Sequence, residues 1–251
     1  LLNYLNKALE RFLGLKVTRI SADNESRLAD LSPQIRATIE RARPFTMTTP
    51  ERLAALCMAV EHVVVNNVPG AFVECGVWKG GSSMAAALTY QRLRRKDIEL
   101  FLFDTFEGMS PPGKEDFRPT TGEAAEDLLA TSDRKSEVWA YAPIDAVRHN
   151  LTGTGYPEER LHFIKGKVED TVPDSAPKEI AILRLDTDWY ESTKHELKHL
   201  FPRLSPNGIL IIDDYGAWAG ARQAVDEYFA ARSPRPFLSR IDNTGRIYVN
   251  S

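Results

Sequence analysis

Glu74, Asp104, Asp186 and the pair Asp213-Asp214 each stand at or next to the carboxyl end of a different strand-like run. In an open α/β sheet that edge is where ligands bind. A chance scatter of acids would fall more often on helix faces, where solvated charge costs little; gathered at one edge they repel one another unless a ligand or cation lies between them. Asp186, Asp213 and Asp214 supply three oxygen donors with no Cys or His nearby in the sequence, the donor set of a hard cation such as Mg²⁺. Such a cation would polarise a hydroxyl, lower its pKa and hold it for attack. Asp188 could then take the proton, although it is also placed to cap the helix expected from Tyr190.

The run Glu74-Cys75-Gly76-Val77-Trp78-Lys79-Gly80-Gly81-Ser82-Ser83 is a Gly-rich turn between a strand and a helix. Glycine allows a tight turn and close approach of a ligand, and the helix start offers free amides and the positive end of a dipole. Dinucleotide-binding turns read G-x-G-x-x-G, whereas this one reads E-x-G-x-x-x-G-G, which suits a ligand carrying an ammonium or sulfonium better than a pyrophosphate. A turn of this kind needs glycine for steric reasons in any case. Asp104, in Phe103-Asp104-Thr105-Phe106, ends the second strand, where ribose hydroxyls are gripped. Its alternative role as a helix cap is opposed by Pro111 and Pro112. Phe106 is either core or a flank for an adenine ring. After the third strand, Lys165-Gly166-Lys167-Val168-Glu169-Asp170 offers a wall for a base, with Gly166 and Val168 the contacts expected. Trp189, Tyr190, Tyr215 and Trp218 crowd the same edge, either as packing or as a stacking surface for a sugar or polyketide.

These residues need a parallel sheet with crossover helices to bring them together, and from Pro69-Gly70 onward the pattern alternates in that way. Strands are expected at 71–75, 98–103, 161–164, 180–185 and 209–212, with helices at 82–95, 121–130, 142–150, 190–204 and 219–232. Residues 237–241 and 246–249, around Asn243-Thr244-Gly245, read as a closing antiparallel hairpin. Upstream, Leu2, Leu5, Leu9, Phe12 and Leu13 form one helical stripe, to be docked on the chain's own domain, on a second subunit or at a membrane surface. Two further helical patterns span 32–65, the second opening at Thr49-Pro50-Glu51 with a hydroxyl cap and a proline at the first helical position. The expected organisation is a helical extension over 1–68, as an oligomer contact or lid, and an α/β domain over 69–251. The irregular stretch 108–119, with three prolines, is a candidate lid or substrate loop.

Composition narrows the function. A net charge of −3 over 251 residues gives no basic field for nucleic acid, so none is expected as a partner. Apolar runs such as 63–65 and 208–212 stop well short of the roughly 18 residues that a membrane span requires. The opening LLNYLNKALERFLGL, without an initiator Met, has no signal-peptide cleavage pattern. Cys57 and Cys75 are too few and too far apart for a disulfide framework or a Cys-Cys metal motif, so a reducing, cytoplasmic setting is expected.

Together VECGVWKGGSS, FDTFEGM, LDTDWYEST, IIDDYGAWAGARQAVDEYF and the upstream RPFTMTTPERL resemble the macrocin O-methyltransferase family, whose members methylate sugar hydroxyls on macrolides and aminocoumarins. The resemblance runs from about Arg43 to the C-terminus. It implies a class I, Rossmann-like methyltransferase fold, S-adenosylmethionine as methyl donor, a divalent metal, usually Mg²⁺, and a homo-oligomer. By motif match Glu74, Gly76 and Ser82 would line the methionine part of the donor and Asp104 would bind the ribose. Thr48, Ser83, Phe106, Gly166, Val168 and Asp186 complete the expected donor contacts. Asp186, Asp213 and Asp214 would hold the metal, with Asp188 and Asp186 catalytic. The acceptor implied is a small glycosylated molecule, its identity left open because 1–42 and the proline loop diverge from the family pattern. The alternatives are a metal-dependent glycosyltransferase using Asp186-Thr187-Asp188, a non-catalytic donor-binding protein and, last, an NAD-dependent oxidoreductase.

Overall fold

The computed structural model describes residues 28–251, so the stripe expected at 2–13 lies outside the described residues. Helices α1 (Pro33–Ala42) and α2 (Pro50–Val65) come first. Ser32 and Thr49 cap them, accepting from Ile35 N and Arg52 N at 3.3 Å each, and each cap is followed by a proline. An alternation then follows: β1 (Ala71–Cys75), α3 (Gly81–Arg92), β2 (Leu100–Asp104), α4 (Ala125–Thr131), α5 (Ile144–Thr152), β3 (Leu161–Lys165) and the short α6 (Val168–Thr171). The chain continues with β4 (Ile180–Leu185), α7 (Tyr190–His199), β5 (Leu204–Ile212), α8 (Ala219–Ala230) and the hairpin of β6 (Ser239–Arg240) and β7 (Arg246–Val249).

The seven strands form one sheet in the order β3-β2-β1-β4-β5-β7-β6. Strands β1 to β5 run parallel, and β7 lies antiparallel to β5. This is the mostly parallel α/β sheet with a closing hairpin that the sequence implies. The central strands AFVEC and IAILRL are buried throughout, as strands covered on both faces must be, and each carries one charged residue, Glu74 and Arg184, within its apolar run. After β1 the chain winds outward to β2 and β3, then returns to β4 on the other side of β1. The switch point therefore falls between β1 and β4, where a crevice opens at their carboxyl ends.

Alternate residues of each strand serve two cores. Phe72, Leu102, Ile182 and Ile211 pack with Ile35, Ile39, Leu53, Leu56 and Val60 of α1 and α2. Val73, Leu183, Leu185 and Ile212 pack with Leu197 of α7 and with Val225 and Phe229 of α8. The boundary expected at residue 68 thus separates no two cores, since α1 and α2 share one with the sheet.

Some boundaries shift for local reasons. The helix expected over 190–204 ends at His199, and Pro202 lies in a 3-10 turn that leads into a longer β5, whose Leu204 pairs with Ile180. The helix expected from 121 starts at Ala125, because 117–124 closes on itself through a bridge between Phe117 and Ala124. No helix among the described residues is long and apolar enough to cross a membrane.

Candidate active site

Strand register brings the charges together. Arg184 of β4 stands opposite Glu74 of β1 on one side and Ile211 of β5 on the other. Side chains two residues apart share a face of a sheet, so Asp186 and Asp213 follow Arg184 and Ile211 on the face that Glu74 occupies. The Arg184 guanidinium, 1% exposed, lies among them. Its Nη1 donates to Glu74 Oε1 at 2.6 Å and to Asp186 Oδ2 at 2.7 Å. Its Nη2 donates to Asp213 Oδ1 at 2.5 Å and to Thr48 Oγ1 at 2.9 Å. Asp213 also pairs with Arg52, whose Nε is 3.0 Å from Asp242. Sequence reasoning missed both arginines. The signal for Arg184 was available, because a lone arginine within the otherwise apolar run IAILRL must, once buried, find carboxylates or leave a charge uncompensated.

Asp186, Asp213 and Asp214 bring one carboxylate oxygen each to within 4.8 Å of one another. Five carboxylates, those of Glu74, Asp186, Asp188, Asp213 and Asp214, share this region with two guanidinium groups of the described residues, Arg184 and Arg52. That excess of negative charge and the all-oxygen donor set fit a divalent cation. Asp188 adopts a left-handed backbone (φ 66°) and bonds to the Asp214 carboxyl and to Trp218. Burial and the nearby Asp186 charge push Asp188 up to about 7, and burial with the Asp188 and Asp186 charges holds Asp214 well above the aspartate range. Asp188 is not the cap of α7: the Tyr190 N–H donates instead to Asp116 Oδ1, at 2.8 Å.

A cavity of about 280 Å³ opens beside these carboxylates at the switch point. Of the residues expected to contact a methyl donor, Thr48, Gly76, Ser82, Asp104, Gly166, Val168 and Asp186 line it. Asp188, Asp213 and Asp214 also line it, so Asp104 shares one cavity with the carboxylates expected to hold the metal. Gly76 has φ 84°, and a Cβ there would collide with the main-chain oxygen of Asp186, which lets β1 and β4 approach closely. Helix α3 starts behind Gly80 (φ 88°) without a side-chain cap, next to Ser82 and Thr48, whose hydroxyl oxygens are 3.4 Å apart.

Three expected contacts lie elsewhere. Glu74 is 1% exposed and is occupied by Arg184 and by the Ser83 hydroxyl. Burial raises its carboxyl to about 7, with Arg184 and Ser83 pulling the other way. Ser83 is fully buried, spent on Glu74 and absent from the cavity wall. Phe106 faces the core, with its ring 6.4 Å from that of Phe163. Asp104 does line the cavity, but its Oδ2 accepts from Val77 N at 2.6 Å and Trp78 N at 2.9 Å, and its Oδ1 from Phe106 N at 2.7 Å. An ionised carboxylate offers about four acceptor positions, so most of this one braces the Gly-rich turn and little remains for two ribose hydroxyls. Burial raises its pKa, against the pull of those three amides.

Met109, Ser110, Ala140 and Trp218 also wall the cavity. Of the four aromatics that the sequence crowds at this edge, only Trp218 reaches the cavity; Trp189 packs against it edge-on, with ring centres 4.9 Å apart. The proline loop is pinned over this wall. Trp189 Nε1 donates to Ser110 O at 2.9 Å, Ala219 N donates to Phe117 O at 3.0 Å, and Asp116, 2% exposed, accepts from Gly113 N and Tyr190 N.

Residues 10–250 match the family described as Macrocin-O-methyltransferase (TylF). A relative from Streptomyces olivaceus, 8-demethyl-8-(2,3-dimethoxy-alpha-L-rhamnosyl)-tetracenomycin-C 4'-O-methyltransferase, is 36% identical over 200 residues, 80% of this chain and 73% of its own. Demethyldecarbamoylnovobiocin O-methyltransferase from Streptomyces niveus is 33% identical over 204 residues, covering 81% and 75%. Among solved structures, the O-methyltransferase NovP superposes with a TM-score of 0.72 at 32% identity, over 82% of each chain.

Proposed function

The chain belongs to the macrocin O-methyltransferase family, and from that premise we propose that it methylates a sugar hydroxyl of a glycosylated natural product, using S-adenosylmethionine and Mg²⁺. The observation that carries this reading is the cavity itself, where the carboxylate trio and the Gly76 turn face the same space. Family membership sets aside the glycosyltransferase and oxidoreductase alternatives.

In this reading the uncapped start of α3, with Thr48 and Ser82, receives the charged methionine end of the donor. Gly166 and Val168 border the base, and Asp104 shapes the ribose position by bracing the turn around Val77 and Trp78. Asp186, Asp213 and Asp214 hold the cation. When bound, it supplies Lewis-acid polarisation of the acceptor hydroxyl. Asp188 takes the hydroxyl proton, and with Trp218 it fixes the place where the acceptor oxygen must stand. Met109 and Ser110 border the acceptor under the pinned loop. A homo-oligomer in a reducing, cytoplasmic setting completes the proposal; Cys57 and Cys75 are both buried and free.

The test is incubation with isotopically labelled S-adenosylmethionine, Mg²⁺ and a panel of hydroxylated glycosides, read by mass spectrometry beside calorimetry of donor binding. Label appearing in a sugar supports the reading. A protein that binds no donor, and labels no glycoside, would overturn it.

A further inference from the structure

Arg184 is the largest fully buried side chain among the described residues, and it bonds to both halves of the site. Toward β1 it grips Glu74, and toward the segment before α2 it grips Thr48, which lines the cavity. Toward the carboxyl ends of β4 and β5 it grips Asp186 and Asp213. We propose that Arg184 is a positioning residue that holds Asp186 and Asp213 in the arrangement a divalent cation requires, with Glu74 and Thr48 anchoring the guanidinium.

The geometry supports this in three ways. The bonds of Arg184 to the two ligands go to one oxygen of each, Oδ2 of Asp186 and Oδ1 of Asp213, which fixes how each carboxylate is turned. A planar guanidinium with donors in a fixed fork transmits that orientation, whereas an ammonium on a flexible stem does not. Glu74 shares Nη1 with Asp186 and Thr48 shares Nη2 with Asp213, so each nitrogen that turns a ligand is itself held by a second acceptor, which explains why an acid that never reaches the cavity stands at the end of β1. A residue that merely balanced charge would do so equally well as lysine. Its positive charge, taken alone, would also repel a divalent cation, so deletion would tighten cation binding. Positioning predicts weaker cation binding for both substitutions.

The inference rests on the cation-site reading of the previous section, and its test separates the two. Mg²⁺ and Mn²⁺ binding is measured by calorimetry on the wild-type chain, Arg184→Lys and Arg184→Met, with folding checked by thermal melting and donor binding measured separately. Residues that orient metal ligands typically account for 10- to 100-fold in metal affinity. Both variants are therefore expected to bind the cation at least about tenfold more weakly, while Arg184→Lys binds the donor within about threefold of wild type. In turnover, Arg184→Lys should need more Mg²⁺ for half-maximal rate yet recover most of its kcat when Mg²⁺ is saturating. Cation affinity unchanged in Arg184→Lys, or tightened in Arg184→Met, overturns the inference while leaving the cation site standing. A wild-type chain that binds no cation overturns both. Should neither arginine variant fold, Thr48→Val, which keeps every charge and removes one anchor, is expected to weaken cation binding measurably; unchanged affinity there overturns the inference.

Discussion

Asp188 carries the most exposed claim at the scale of single residues. It bonds to Asp214 and Trp218, stands next to the carboxylate trio and caps no helix. As the proton acceptor, its replacement in Asp188→Asn should lower kcat by about 10²- to 10⁴-fold, with donor affinity by calorimetry unchanged. A rate within a few-fold of wild type would remove Asp188 from the chemistry. The same pair sets a pH dependence. Burial and neighbouring charge raise Asp188 to about 7 and hold Asp214 well above the aspartate range, so the pair keeps a proton in the cation-free protein that a bound cation must displace. Apparent Mg²⁺ affinity should therefore rise as pH increases through about 7, by as much as tenfold per pH unit for one displaced proton. Calorimetry across that range checks it, and an affinity indifferent to pH would show that the pair does not meet the cation. The trio was legible because acids at strand ends follow from period and position alone. Arg184 was legible as the one charge in an apolar strand, whereas Arg52, on a helix far away in sequence, shows no sign of its pairing with Asp213.

Among the elements, the proline loop depends on a contact that the sequence does not display. Asp116 supplies the N-terminal bond that α7 lacks from its own residues, and it also lies against Gly220 near the start of α8, where an added Cβ would strike its carboxylate. Loss of a helix cap typically costs about 1 kcal/mol. Asp116→Ala and Gly220→Ala should each lower the melting temperature slightly and raise KM for the acceptor while leaving donor affinity unaltered. An unchanged acceptor KM in both variants would mean that the loop does not shape the acceptor site. The strands expected at 71–75 and 180–185 coincide with β1 and β4 because those runs are apolar but for one charged residue each, Glu74 and Arg184, and are bounded by turns. The boundaries of α4 and α7 were harder to read, since a bridge within the loop and a 3-10 turn at Pro202 are decided by tertiary contacts.

For the molecule as a whole, the mostly parallel sheet was readable from the alternation of periods, whereas the strand order and its switch point were not, because right-handed crossovers are compatible with more than one order. The sharing of one core by α1, α2 and the sheet was not, because amphipathic helices show that they must pack without showing where. Truncation ahead of Thr49 would remove Ile35, Ile39 and Ala42 from that core. A chain so shortened should melt well below the full one or fail to accumulate, and an unchanged melting temperature would contradict the shared core. At this same scale lies the central claim, that strand ends from across the sheet converge to hold a cation beside a methyl donor. Its most direct test is the rate of methyl transfer to a glycoside as free Mg²⁺ is buffered downward with chelator and then restored. The expected result is a loss of about 100-fold or more, the equivalent of several kcal/mol of transition-state stabilisation, regained on adding Mg²⁺. Transfer that continues undiminished in excess chelator would contradict it.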